Sequence, residues 1–303
     1  MAGKLEKVEI ALGGRRFMYR AADGGPIRFG VTGRKRNSTH IYNSSKVANH
    51  ILPAESDAEL QVITLLDLST SVLTYMAQPH TLKLPKTCGK GTWIYTPDFE
   101  VIVPRWFIRQ LESGMPFALA ALKMPQRRAS EDDLVRLVLE VKGASRYADL
   151  RERDLTQPGA QAKADKREAE KEDYQAKLRE AHATYRGMGY HFYLVDELRD
   201  LRTLDLRHLP SILMDDDVKV TWRHVNLAWK HLQNRSGLTT YKDIIDALGG
   251  GPLGRETANC LHVRGLIWID LSKNPQPVTT VAMPPLLGSR RDLGHLLASE
   301  MEA

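Results

Sequence analysis

The chain has 303 residues, 42% hydrophobic and 26% charged, with 43 Lys+Arg against 37 Asp+Glu and a formal net charge of +6. That excludes a disordered or collagen-like chain and suggests about two domains with ordinary apolar cores. No apolar run approaches the roughly 18 residues a bilayer span needs, and the segment from Met1 to Lys7 lacks a signal peptide's apolar stretch. A cytoplasmic protein without a membrane partner is therefore expected. Cys88 and Cys260 lie far apart and form no Cys-x-x-Cys pair, which argues against a zinc site and a disulfide framework.

The excess charge is local. Residues 1–50 hold 10 Lys+Arg and 3 Asp+Glu, residues 51–197 hold 20 and 22, and residues 198–303 hold 13 and 12. Residues 1–50 thus read as a basic extension, densest at Arg34, Lys35 and Arg36 in a Gly- and Ser-containing neighbourhood. Its expected role is salt-sensitive, sequence-independent contact with DNA phosphates, the alternative being a solubilising tail.

Further along, Leu60, Ile63, Leu65, Leu66 and Leu68 predict an amphipathic helix, and Ser56 with Glu59 three residues later marks its start. Strands are predicted at Val72–Met76, His80–Leu84, Trp93–Tyr95 and Phe99–Val103, with Gln78-Pro79 and Thr96-Pro97-Asp98 between them. Residues 104–134 have mixed character and read as an insertion between sheet elements. Leu134 to Val141 reads as a buried strand, Lys163 to Arg186 as a charged helix ended by Gly187-Met188-Gly189, and His191–Val195 as another strand. After Glu197 the spacing predicts helices over Val220–Gln233, Thr239–Leu248 and Arg255–Val263, then a hairpin across Lys273–Pro277. Helices followed by a small hairpin describe a winged helix-turn-helix module, with Arg255, Asn259, His262 and Arg264 on its third helix.

The residues that carry chemistry are Asp98 and Glu140-Val141-Lys142. Side chains alternate along a strand, so Glu140 and Lys142 share a face that Asp98 can join from a neighbouring strand. Adjacent carboxylates repel unless a cation intervenes, and a hard divalent ion prefers oxygen donors, including the Val141 carbonyl. The Lys142 ammonium could orient or deprotonate a water, or stabilise charge developing during attack on a phosphodiester.

Pro97-Asp98 followed by Glu140-Val141-Lys142 resembles the PD-(D/E)xK nuclease signature. Together with Ser56–Leu60, Tyr75–Pro79, Tyr95–Phe99, Leu139–Lys142 and Tyr190–Glu197 in that order, it is similar to the TnsA family, the endonuclease subunit of heteromeric cut-and-paste transposases. The resemblance covers roughly residues 50–197. It implies an α/β fold, a restriction-endonuclease-like mixed sheet flanked by helices over 51–197, followed by a winged-helix-like domain over 198–303 that binds DNA or a partner. It implies a catalytic set of Glu59, Asp98, Glu140 and Lys142, with Mg²⁺ or Mn²⁺ on Glu59, Asp98, Glu140 and Val141. The activity implied is 5′-strand cleavage of double-stranded DNA at transposon ends, beside a DDE-type transposase subunit and an AAA+ ATPase regulator.

Several residues keep two readings. Glu59 is equally explained as a capping glutamate, and Glu55 is an alternative helix-entry carboxylate. Gln78 either satisfies backbone groups at a bend or orients water or a phosphate. Lys163, Lys166 and Arg167, and in the C-terminal module Arg255, Asn259 and Arg264, are candidate DNA contacts. The 41 residues between Asp98 and Glu140 require an insertion that loops out without displacing either strand. Competing functions are a stand-alone nuclease of defence or repair and a non-catalytic DNA-binding adaptor.

Overall fold

A computed structural model describes residues 6–29, 39–47, 51–86, 91–125, 130–143 and 160–284. The fold is mixed α/β. The chain opens with a hairpin, β1 (Lys7–Gly13) and β2 (Arg16–Ala21), turned by Gly13, Gly14 and Arg15, all at positive φ. A second hairpin, β3 (His40–Asn43) and β4 (Ile51–Ala54), leads into α1 (Asp57–Leu68). Then follow β5 (Thr74–Ala77), β6 (His80–Pro85), β7 (Thr92–Tyr95) and β8 (Phe99–Pro104). Next come α2 (Arg105–Glu112), α3 (Phe117–Leu122), β9 (Leu134–Lys142), the long α4 (Ala160–Gly187) and β10 (His191–Asp196). None of the described helices is long and apolar enough to cross a membrane.

The central sheet runs β10-β9-β8-β5, parallel between β10 and β9 and antiparallel elsewhere. Alternation divides its faces. Val101, Val103, Leu137, Leu139 and Val141 enter the main core with α1, α2 and α3, while Val138 turns to the other face with Ala181 and Tyr185 of α4. The second sheet, β1-β2-β6-β7, closes on that opposite face, packing Met18, Leu82, Leu84, Trp93 and Tyr95 against the same helix residues. The strands on either side of Gln78 therefore belong to different sheets, β5 pairing with β8 and β6 with β2 and β7.

Two readings of the sequence need correction here. The basic extension is folded onto the rest of the chain in its described part, because Phe17 to Arg20 pair with His80 to Lys83 and Met18 is buried. Its short apolar/polar alternation across a glycine turn is ordinary hairpin chemistry. Arg34, Lys35 and Arg36 lie outside the described residues. The stretch after Val103 does not loop out either: Trp106, Phe107, Ile108, Leu111, Phe117 and Leu122 are buried core residues of α2 and α3.

Beyond β10, a single π-turn (Glu197–Leu201) and α5 (Leu209–Leu213) precede α6 (Trp222–Asn234), β11 (Leu238–Thr240), α7 (Tyr241–Ala247) and α8 (Gly251–Val263). Strands β12 (Trp268–Ile269) and β13 (Thr280–Ala282) pair antiparallel, with β11 on the outer side of β13. No linker separates this segment from the rest: Val225, Leu232, Ile244, Leu261 and Ile269 belong to the same continuous core as α1 and the central sheet. The Trp268 indole N–H donates to the Leu122 carbonyl, 3.0 Å away.

Candidate active site

The register Phe99↔Leu139 brings Asp98 opposite Glu140 at the next position, so the intervening residues displace neither strand. One Asp98 oxygen accepts the Val141 main-chain N–H at 2.6 Å, in the place a ladder carbonyl would occupy. Glu140 is buried and accepts from Tyr95 at 2.7 Å, Tyr174 at 2.5 Å and the Lys142 ammonium. Lys142 is buried beside it, 4.7 Å from the centre of the Tyr174 ring. Strand alternation thus places Glu140 and Lys142 together as expected, and Tyr174 reaches them from α4.

Glu59 is held by its cap. Ser56 accepts the Glu59 N–H at 3.2 Å and donates its hydroxyl to Glu59 at 3.0 Å, while the Glu55 N–H donates to the other Glu59 oxygen at 2.8 Å. Capping does not remove it from the acidic group. Burial first, then Glu140 and then Glu59, push the Asp98 carboxyl well above the usual carboxylate range, against the Val141 N–H and Lys142. Glu59 is raised as well, by burial and by Glu55 and Glu140. Asp98 and Glu59 therefore both lie within electrostatic reach of Glu140. Among the described residues, no three His, Cys, Asp or Glu side chains converge as a ready metal cage.

Gln78 is buried and left-handed, with φ 45°. Its main chain accepts from Ile27 and donates to Asp98, and its side chain donates to Glu55 at 2.9 Å and accepts from Arg28 at 3.0 Å. The reading in which this side chain satisfies backbone groups is corrected: it joins two charged side chains. Glu55 is correspondingly a partner of Gln78 and Arg28. The sequence reading missed Tyr95, Tyr174 and Arg28. A tyrosine three residues before Asp98 carried a usable signal; nothing local marks a helix residue that returns to β9.

Of the candidate DNA contacts, Arg255 is exposed on α8. Asn259 is not, nor is the neighbouring His262, because α8 is buried from Thr257 to Val263 and packs on α5, α7 and α1. Asn259 accepts from the Tyr241 hydroxyl and donates to Asp215, both at 2.7 Å. Arg264 donates to the Asp216 carbonyl at 3.0 Å. Burial lowers the His262 imidazole to about 3, where it accepts the Ile269 N–H. This helix offers no solvent-facing Asn259 or His262 to a groove, and its polar residues hold the fold. Asn259→Ala is accordingly expected to destabilise by about 2 kcal/mol, by orphaning Tyr241 and Asp215, and to leave DNA affinity unchanged. Urea denaturation and a binding titration check both parts. The backbone of Lys163, Lys166 and Arg167 lies in α4, and their side chains lie outside those described. No protein-family model matches the chain, and no curated protein is significantly similar to it.

Proposed function

We propose that the chain is a divalent-metal-dependent DNA endonuclease of the PD-(D/E)xK type. In this reading the central sheet with α1 and α4 is a restriction-endonuclease-like core, and the segment from α6 to β13 is a winged-helix-like module. The observation that carries it is the β8/β9 register, which sets Asp98 against Glu140 with Lys142 on the same face and Glu59 within electrostatic reach. Within the central sheet, α1 is followed by β5, β8 and β9 and then by α4 and β10, with β10 parallel to β9, and this order supports the core. The succession α6-β11-α7-α8-β12-β13, with β13 between β11 and β12, supports the module. By the TnsA resemblance, the substrate is the 5′ strand at a transposon end, and the partners are a DDE transposase and an AAA+ regulator.

By donor type, though not as a ready-made cage, the carboxylates suit a hard cation. Three carboxylates accompany one ammonium, so full ionisation leaves negative charge that a dication matches. Asp98, Glu140 and the Val141 carbonyl would hold it, with Glu59 alongside. Bound Mg²⁺ or Mn²⁺ supplies Lewis-acid polarisation of the phosphodiester. Lys142, steered by Glu140 and the Tyr174 ring, is the protein's own charge for the phosphoryl oxygens as they become more negative. The Val141 N–H holds Asp98 with its carboxylate in line with Glu140.

Calorimetry with Mn²⁺ in the presence of end-containing duplex tests the reading, alongside 5′-strand cleavage with the partner transposase present. Metal uptake and metal-dependent 5′ cleavage are expected. Cleavage without any transposase points to a stand-alone nuclease, and absence of metal uptake overturns the enzyme reading in favour of a DNA-binding adaptor.

A further inference from the structure

Resting on the nuclease reading, the geometry points to a backbone-phosphate seat at Arg28, ordered by Gln78 and Glu55, which takes a phosphate of the bound strand beside the one that is cut. An acidic centre repels a polyanionic strand, so a nuclease of this kind needs cationic groups at its rim. Lys142, paired with Glu140, serves the phosphoryl group being cut, so a neighbouring phosphate needs a second cation. Arg28 is both ordered and accessible. Its Nε donates to Gln78 at 3.0 Å and its Nη2 lies 3.4 Å from Glu55, while 53% of the side chain remains exposed. A guanidinium fixed on one edge presents its other N–H groups as a fork, the geometry that suits phosphate oxygens.

The placement of that fork is set by the site. Gln78 donates its main-chain N–H to the Asp98 carbonyl at 2.7 Å and accepts the Ile27 N–H at 2.9 Å, so the residue before Arg28 is tied through one residue to Asp98. Glu55 gives the second tie: it accepts from Gln78 at 2.9 Å, and its own N–H is bonded to Glu59. Arg28 is therefore linked to both Asp98 and Glu59 by short hydrogen-bonded routes. Gln78 is fully buried in a left-handed conformation, which a non-glycine residue keeps only where its surroundings hold it. Here the surroundings are Asp98 on one side and Arg28 on the other. The segment carrying Arg28 follows β2, which is anchored to β6, so Arg28 is brought to the site by a folded element.

A tether for Glu55 would need only the bonds already made. A phosphate seat makes a further demand, because each phosphate neutralised contributes roughly −0.9 to the slope of log affinity against log salt. The test measures binding of the full-length protein to a fluorescent end-containing duplex, with Ca²⁺ replacing Mg²⁺, across a salt series. Arg28→Ala is expected to weaken binding about tenfold and to reduce the slope by about one. Arg28→Lys should retain the slope and recover only part of the affinity. Gln78→Asn tolerates the left-handed backbone and shortens the arm that orients Arg28, so it should give an intermediate loss with the slope unchanged. Unchanged affinity and slope in Arg28→Ala overturn the inference, and Asp98-dependent cleavage in the same preparation would show that the nuclease reading survives it. Arg28-dependent binding with cleavage indifferent to Asp98 would instead uphold the seat and sink the nuclease reading.

Discussion

Replacing Asp98 with Asn is expected to lower 5′-strand cleavage by about a thousand-fold or more while making the metal-free protein more stable. The first effect follows from removing one of the two sheet carboxylates that a divalent ion would share; a thousand-fold loss corresponds to about 4 kcal/mol of transition-state stabilisation. The second follows from the site's charge. Asn is nearly isosteric and its carbonyl still accepts the Val141 N–H, so the change deletes a charge that burial, Glu140 and Glu59 all disfavour. A gain of about 1 kcal/mol is expected. The pH dependence has a definite sign. A carboxyl raised in the folded state binds its proton more tightly there than when unfolded, so stability falls as pH rises from the usual carboxylate range through the raised value. Asp98→Asn should flatten that fall and leave the smaller share due to Glu59. Chemical denaturation across pH in EDTA, paired with cleavage assays in Mg²⁺ and Mn²⁺, checks both halves. A variant that cuts at the wild-type rate would remove Asp98 from the site.

How much of this was legible in the sequence depends on how local each cause is. The face shared by Glu140 and Lys142 follows from strand period alone, and the α1 entry follows from Ser56 and Glu59. The helices and closing hairpin after Glu197 were legible for the same reason, although the three-residue β11 was not. Other features depend on which surface meets which. The apolar residues of α2 and α3 were visible, but only the fold shows that they fill the face of the sheet opposite α4. Asn259 looked available because helical period does not say that α8 is covered from Thr257 onward. The role of Gln78 required knowing that Arg28, 50 residues earlier, would be its partner. Tyr174 lies 34 residues after Glu140 and is brought to it only by the course of α4.

Glu100 shows how far partners override sequence position, and its replacement by Ala is expected to destabilise the protein by about 3 kcal/mol or more. It lies on β8 two residues after Asp98 and on the same side of the chain, yet its environment is cationic. Arg20 of β2 donates to it at 2.7 Å, Arg136 of β9 also donates, and His80 of β6 places Nδ1 3.0 Å away. Burial raises the Glu100 carboxyl, but His80 and Arg20 outweigh that and hold it at about 2. His80 is itself buried, which lowers its imidazole from the usual range, and its Nε2 lies 2.7 Å from the Tyr185 hydroxyl, so the network runs from the N-terminal hairpin through both sheets to α4. Truncating the carboxylate would leave a buried imidazole and two guanidinium groups without their common acceptor, the most costly way to break such a group. A carboxyl depressed in the fold contributes stability that is present above its unfolded value near 4.5 and is lost as pH falls toward 2, on the order of 3 kcal/mol over that window. Wild type should therefore lose stability on acidification through this range, and Glu100→Ala should lose much less there, the reverse of the Asp98→Asn profile. Glu100→Gln keeps the size and one acceptor, so it should fall between the two in midpoint and share the flattened acid limb. Because Arg20 and Arg136 also brace the strands that carry Asp98 and Glu140, cleavage should decline in proportion to the loss of folded protein. A midpoint unmoved by Glu100→Ala would show that the two sheets are held together by their apolar contacts alone.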